Sequence, residues 1–117
     1  MRNAKRTPSR KASPLSKARL EALIAEAVLD AYDESEQTVG FLTMIEENLR
    51  VPFDAEVLGV MVTVERIDMT LEGEIIAACR RGNLRQRISV LDLPLPSPPP
   101  EGSEWIEAYR HWKRGIK

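Results

Sequence analysis

The chain has 117 residues, is 43% hydrophobic and carries a formal net charge of −1, which allows one modest core and no second one. Its lone cysteine, Cys79, excludes an internal disulfide and any cysteine-based zinc site. No apolar run approaches the roughly eighteen residues needed to cross a bilayer, so the expectation is a cytoplasmic protein with no membrane partner.

The near-zero net charge conceals three charge blocks. Residues 1–20 hold seven basic side chains and no acid, residues 21–74 hold fourteen acids against Arg50 and Arg66, and residues 75–117 hold eight bases and four acids. Negative charge is concentrated where a cation would be attracted.

In chain order, residues 1–14 are basic, polar and interrupted by Pro8 and Pro14, with little to bury, and read as a disordered tail. Residues 15–117 form one domain. From Leu20 the apolar residues Leu20, Leu23, Ile24, Ala27, Val28 and Ala31 repeat at helical spacing behind Ser16, a suitable N-cap, and this predicts a helix that stops near Tyr32. Asp33 and Glu36 have the spacing of a capping box for a second helix, whose buried side is expected at Val39, Leu42, Ile45 and Leu49, with Pro52 closing it.

The helical part, residues 15–50, then gives way to a strand-forming part, residues 54–93. The Val-rich stretch Ala55–Ile67 reads as two strands bent at Gly59. Residues 73–93 read as two more, joined at Gly82-Asn83, with Ile88 and Val90 on a buried face opposite Arg87 and Ser89. Residues 94–102 are proline-rich and predict a stiff extended strap. Over residues 103–115, Trp105, Ile106, Tyr109 and Trp112 mark an amphipathic helix, acidic at its start, basic at its end and stopped by Gly115, expected to dock on the strands through its tryptophans. The fold class is α+β.

Asp30 to Leu49 holds six carboxylates, Asp30, Asp33, Glu34, Glu36, Glu46 and Glu47, and no Lys or Arg. Like charges three or four apart on a helix repel by a few tenths of a kcal/mol per pair. Two readings account for them. Acids are ordinary on solvated faces, and Asp33 and Glu36 are good caps. Alternatively, clustered carboxylates supply the oxygen ligands that a hard cation such as calcium requires. An EF-hand is excluded, because Asp30 is followed by Ala31 and Tyr32 and the sixth loop position is not glycine.

The blocks Asp-Ala-Tyr-Asp at 30–33, Glu36-Gln37, Gly40-Phe41, Ile45 to Leu49 and Pro52-Phe53-Asp54-Ala55 stand in the order seen in the bacterial CcbP-type calcium-binding family. The chain resembles that family over residues 20–114. The resemblance implies a small non-EF-hand calcium-binding protein, a buffer or a sensor, with a helical hairpin leading into an SH3-like barrel. It places ligands at Asp30, Glu36, Glu46 and Glu47, with Asp33 and Glu34 in the same block. Phe41 stands where the pattern more often has Trp, a difference of packing rather than of metal binding. Glu65, Asp68, Glu72 and Glu74 have no assignable counterpart, which leaves a second site near Asp68 and Glu72 open.

His111 lacks the neighbours of a catalytic dyad and suits a helix C-terminus. Cys79 reads as a small core hydrophobe. No nucleophile, phosphate loop or oxyanion donor marks an enzyme. The arginines of residues 80–87 form a basic hairpin, and a nucleic-acid partner is not expected from them. The expected molecule is a monomer that binds calcium and is not an enzyme. The alternative is an interaction module whose barrel or strap docks an unspecified protein and whose acids only solubilise.

Overall fold

The computed structural model describes residues 15–115; the tail expected at 1–14 lies outside the described residues. Three helices, α1 (Lys17–Ala27), α2 (Glu34–Asn48) and α3 (Glu104–Arg114), accompany four strands, β1 (Phe53–Val57), β2 (Val60–Met69), β3 (Ile75–Arg81) and β4 (Leu84–Ser89). The fold is α+β, as the sequence predicts.

Helix α1 begins at its predicted cap, where Ser16 Oγ accepts the Arg19 N–H at 3.0 Å. It ends earlier than expected, at Ala27 rather than Tyr32, because the chain turns through Asp30 at φ +64. That left-handed conformation suits Asp better than most side chains. The turn leaves Tyr32 exposed and delivers Asp33 in extended conformation to cap α2.

On α2 the buried stripe is Thr38, Phe41 and Ile45, continued by Leu49, while Val39 is half exposed and Leu42 only partly covered. The stripe is rotated from the predicted one because Phe41 enters an aromatic group, 5.4 Å from the Tyr109 ring centroid and 4.9 Å from that of Trp112. Gly40 permits the α1–α2 contact, since a side chain there would collide with the Ala27 carbonyl oxygen.

The strands pair antiparallel in the order β1-β2-β3-β4. Leu58 (φ +52) and Gly59 (φ +80) close the β1–β2 hairpin, and Gly82 (φ +58) opens the β3–β4 turn, as tight hairpins with left-handed turn residues require. Val62 and Val64 of β2 and Ala77 and Cys79 of β3 face the core. In β2, Val64 pairs with Cys79 and Arg66 with Ala78, so Glu65 is an extra residue. This bulge resets the alternation, sending Ile67 inward and Arg66 outward. Strand β4 is more exposed than predicted: only Ile88 and Ser89 are partly covered, and Val90 is buried just past its end.

Residues 94–102 form no helix or strand. Gly102, at φ +89, passes against the Asn48 carbonyl, and Arg50 N–H bonds Glu101 O at 2.8 Å. Helix α3 buries Trp105, Ile106, Ala108 and Tyr109. Its main partners are α1 and α2, not the sheet. Arg110 ties it to the sheet's exit by donating to the Val90 and Leu93 carbonyls. No helix is long and apolar enough to cross a membrane, among the described residues.

Candidate cation site

The six carboxylates singled out above fall at two ends of one helix. Asp30, Asp33, Glu34 and Glu36 surround the start of α2, whereas Glu46 and Glu47 lie in its last turn. Twelve residues separate Glu34 from Glu46, roughly 18 Å along the axis. The structure therefore does not bring the six together around one ion, and no group of three or more His, Cys, Asp or Glu is gathered for a metal among the described residues.

Two members of the first set have local work. Asp33 Oδ1 accepts the Glu36 N–H at 2.8 Å, and Glu36 Oε1 accepts the Tyr32 N–H at 2.7 Å. This is the predicted capping box with its return bond moved one residue outward. Both acids also sit where the partial positive charge of the helix start favours them. Asp30, in the preceding turn, is exposed. Glu46 borders a small groove with Ile45, Leu49, Val51, Arg66 and Ile67, and Glu47 is exposed.

Glu34 differs from its neighbours. Its carboxylate points toward α3, with Oε2 3.3 Å from Lys113 Nζ. Glu34, Ser35 and Thr38 of α2 line a cleft of about 270 Å³ opposite Glu72 and Gly73 of the β2–β3 turn, with Lys113 at its side. Glu72 and Glu74 border an adjoining cleft with Leu91, Tyr109 and Lys113. One lysine thus stands among carboxylates from two distant segments. Lys113 also lies 5.9 Å from the Trp112 ring centroid, within cation–π range.

The field reaches the core. The Tyr109 phenol is held above its ordinary pKa, first by burial and then by the negative charges of Glu74 and Glu34. Sequence alone links neither Glu72 nor Lys113 to Glu34, because only the tertiary fold joins the β2–β3 turn to α2 and α3. The surviving local signal is the unbalanced charge of residues 21–74.

In donor chemistry the cleft offers carboxylate and hydroxyl oxygens from Glu34, Glu72 and Ser35, with no imidazole or thiolate among its lining residues. Such a set fits a hard cation that completes its shell with carbonyl and water oxygens, and not a softer metal that selects imidazole or thiolate. Residues 21–113 match the model of the CcbP family, described as calcium binding. The chain belongs to the CcbP family. Among solved structures it is similar to the crystal structure of Anabaena CcbP, with a TM-score of 0.69 and 18% identity over 88% of this chain and 95% of that one. It is equally similar, at TM-score 0.69 and 18% identity, to a calcium-binding protein in the calcium-binding form, over 92% of this chain and 99% of that one. The comparison with curated proteins returns no match. At this identity the two structures establish a shared CcbP-type fold.

Proposed function

We propose that this CcbP-family protein binds calcium in the cleft between the start of α2 and the β2–β3 turn, with Glu34 and Glu72 as its protein carboxylates. The observation that carries the reading is the Lys113 ammonium already seated against Glu34 on the edge of that cleft. A site that attracts an internal cation is one a divalent ion competes for with twice the charge. Glu74 adds to the field without coordinating, Asp30 stays outside the cleft lining, and Asp33 and Glu36 serve as caps. Glu46 and Glu47 belong to a separate surface.

Calcium suits the site better than magnesium. Two carboxylates on separate elements form a flexible set that accommodates a large ion with six to eight oxygens, while magnesium demands near-octahedral geometry and gives up its water reluctantly. Calcium that takes Glu34 from Lys113 also frees the last turn of α3, so occupancy is felt in the helical layer. That is the behaviour of a sensor rather than of a passive buffer.

Calorimetric titration of the full-length protein with calcium and with magnesium at physiological salt tests the reading. Calcium is expected to bind more tightly than magnesium, the pair Glu34→Gln and Glu72→Gln to weaken it at least tenfold, and the pair Glu46→Gln and Glu47→Gln to leave it unchanged. Equal affinities for the two ions, or an effect confined to the Glu46 and Glu47 pair, would overturn it.

A further inference from the structure

The sheet carries a second charged surface, of opposite sign, on the face turned away from the core. Arg66 of β2 pairs with Ala78 of β3, and Ala78 pairs with Arg87 of β4, so one cross-strand row reads Arg, Ala, Arg. The neighbouring row holds Thr63, Arg80 and Arg85, and ends on β1 at Asp54, whose Oδ1 accepts from the Thr63 hydroxyl at 2.9 Å. Residues in register across adjacent strands share a face. Four guanidinium groups from three strands are thereby gathered on one surface, and the bulge at Glu65 is what turns Arg66 toward it.

Ala78 makes the floor. With only a methyl group between Arg66 and Arg87, whose backbones stand two strand spacings or roughly 10 Å apart, the surface dips into a cleft of about 490 Å³. Its lining includes Glu65, Arg66, Ala78, Arg85, Gln86 and Arg87. The one carboxylate in the lining is already engaged: Glu65 Oε2 lies 2.6 Å from Arg80 Nε, and this bond, with the other nearby arginines, holds the Glu65 carboxyl below its usual pKa, while Arg66 Nε lies 3.9 Å from Asp68 Oδ2 at the margin of the face. Among the described residues, neither Arg85 nor Arg87 has a carboxylate within ion-pair distance.

We propose that this arginine face binds the phosphate backbone of a nucleic acid, without selecting sequence. A guanidinium matches phosphate oxygens in a two-bond fork and never loses its charge. The arrangement also separates this occupant from an acidic polypeptide. A strand added at the open edge of β4 would meet Arg85 and Arg87 but would lie a further two strands from Arg66, leaving half the array unused. A backbone laid across the face reaches β2, β3 and β4 together. A second copy pairing β4 with β4 would place arginines against arginines. Neither row contains an aromatic side chain to stack bases, hence the lack of sequence preference.

The test is fluorescence anisotropy of a labelled 20-nucleotide single-stranded RNA titrated with the full-length protein between 50 and 200 mM salt. The unpaired Arg85 and Arg87 predict a slope of log affinity against log salt of about −1.4, and release of Arg66 and Arg80 from their carboxylates extends it to about −2.8, at roughly −0.7 per contact. The double substitution Arg85→Ala and Arg87→Ala is expected to lower affinity at least tenfold and to reduce the slope by about 1.4. Arg85→Lys with Arg87→Lys should restore most of the slope, and Lys17→Ala with Arg19→Ala, an equal loss of charge on α1, should change affinity less than threefold. An unaltered thermal transition in each variant shows that the fold is kept. No binding at 50 mM salt would overturn the proposal. So would equal losses from the sheet and α1 pairs, or tighter binding of a glutamate-rich 12-residue peptide than of the RNA, which would give the face to a protein partner.

Discussion

Lys113 and Glu34 are 79 residues apart in sequence and 3.3 Å apart in space, the ammonium of the last helix against a carboxylate in the first turn of α2. Between partly exposed groups such a pair contributes roughly 0.2–1 kcal/mol. Its larger consequence is competition, since the lysine holds a carboxylate that a divalent ion would use. Replacing Lys113 by Met should lower the stability of the metal-free protein by no more than about 1 kcal/mol and raise calcium affinity by up to about fivefold. Chemical denaturation and calorimetry measure the two effects. A Lys113→Met protein that binds calcium more weakly would make the lysine a support of the site instead of its competitor.

Trp112 provides an optical readout of the same exchange. Its indole touches Phe41 and Tyr109 and has the Lys113 ammonium nearby. Calcium addition should change Trp112 emission, and the change should disappear in Lys113→Met. Trp105→Phe removes the other indole and isolates the signal. An identical calcium response from the wild-type and Lys113→Met proteins would show that the lysine does not move.

Tyr109 carries a pH dependence of defined sign. Its pKa is raised by burial, by Glu74 and by Glu34, from an ordinary value of 10.0. The unfolded chain therefore releases this proton first, and the corresponding stability is complete below pH 10 and declines as pH rises from there through the higher folded-state pKa. Tyr109→Phe should flatten that alkaline decline. Calcium, by offsetting the negative charge of Glu34, should lower the Tyr109 pKa, which ultraviolet difference absorbance at alkaline pH detects. A calcium-insensitive titration would place the ion away from Glu34.

Asp33 distinguishes capping from coordination. Asp33→Ala removes the bond to the Glu36 N–H and should cost about 1 kcal/mol, whereas Asp33→Asn keeps a capping oxygen and should cost little. Neither is expected to change calcium affinity. Weakened binding in Asp33→Asn, where the cap survives and the charge does not, would move Asp33 from cap to ligand.

Gly40 tests the helical layer. Gly40→Ala forces a methyl group against the Ala27 carbonyl, and backbone contacts of this kind yield only by separating the two helices. A loss of about 1–3 kcal/mol is expected, as for an overpacked core. Thermal melting checks it.

What was legible in the sequence was local. Ser16 and Asp33 announce helix starts because a cap is made within three residues, and Gly59 and Gly82 announce hairpins because a tight turn needs left-handed backbone at its own position. The phase of α2 departs from its periodicity because Phe41 takes its direction from Tyr109 and Trp112, 68 and 71 positions away, and a pattern within fifteen residues carries no trace of them. The acidic set is one cluster in sequence, where its members adjoin, and two in space, where the length of α2 separates Glu34 from Glu46. Sequence does not place Glu72 with Glu34 for the opposite reason: its neighbours across the cleft come from α2 and α3. Arg66 was concealed by the bulge at Glu65, which breaks the alternation that would have placed it indoors.

The docking of α3 on α1 and α2 sets an order on synthesis. A ribosome delivers the helical hairpin first, the four strands next, and only then the helix that supplies Tyr109 and Trp112 to Phe41. The antiparallel sheet joins neighbours in sequence and can form as it emerges. The helical layer closes over contacts that span most of the chain, and such closure is slow because the loop must be gathered before any contact rewards it. A nascent chain halted at the proline strap would hold a formed sheet beside two helices with Phe41 still uncovered, and that aromatic is the surface a chaperone would find.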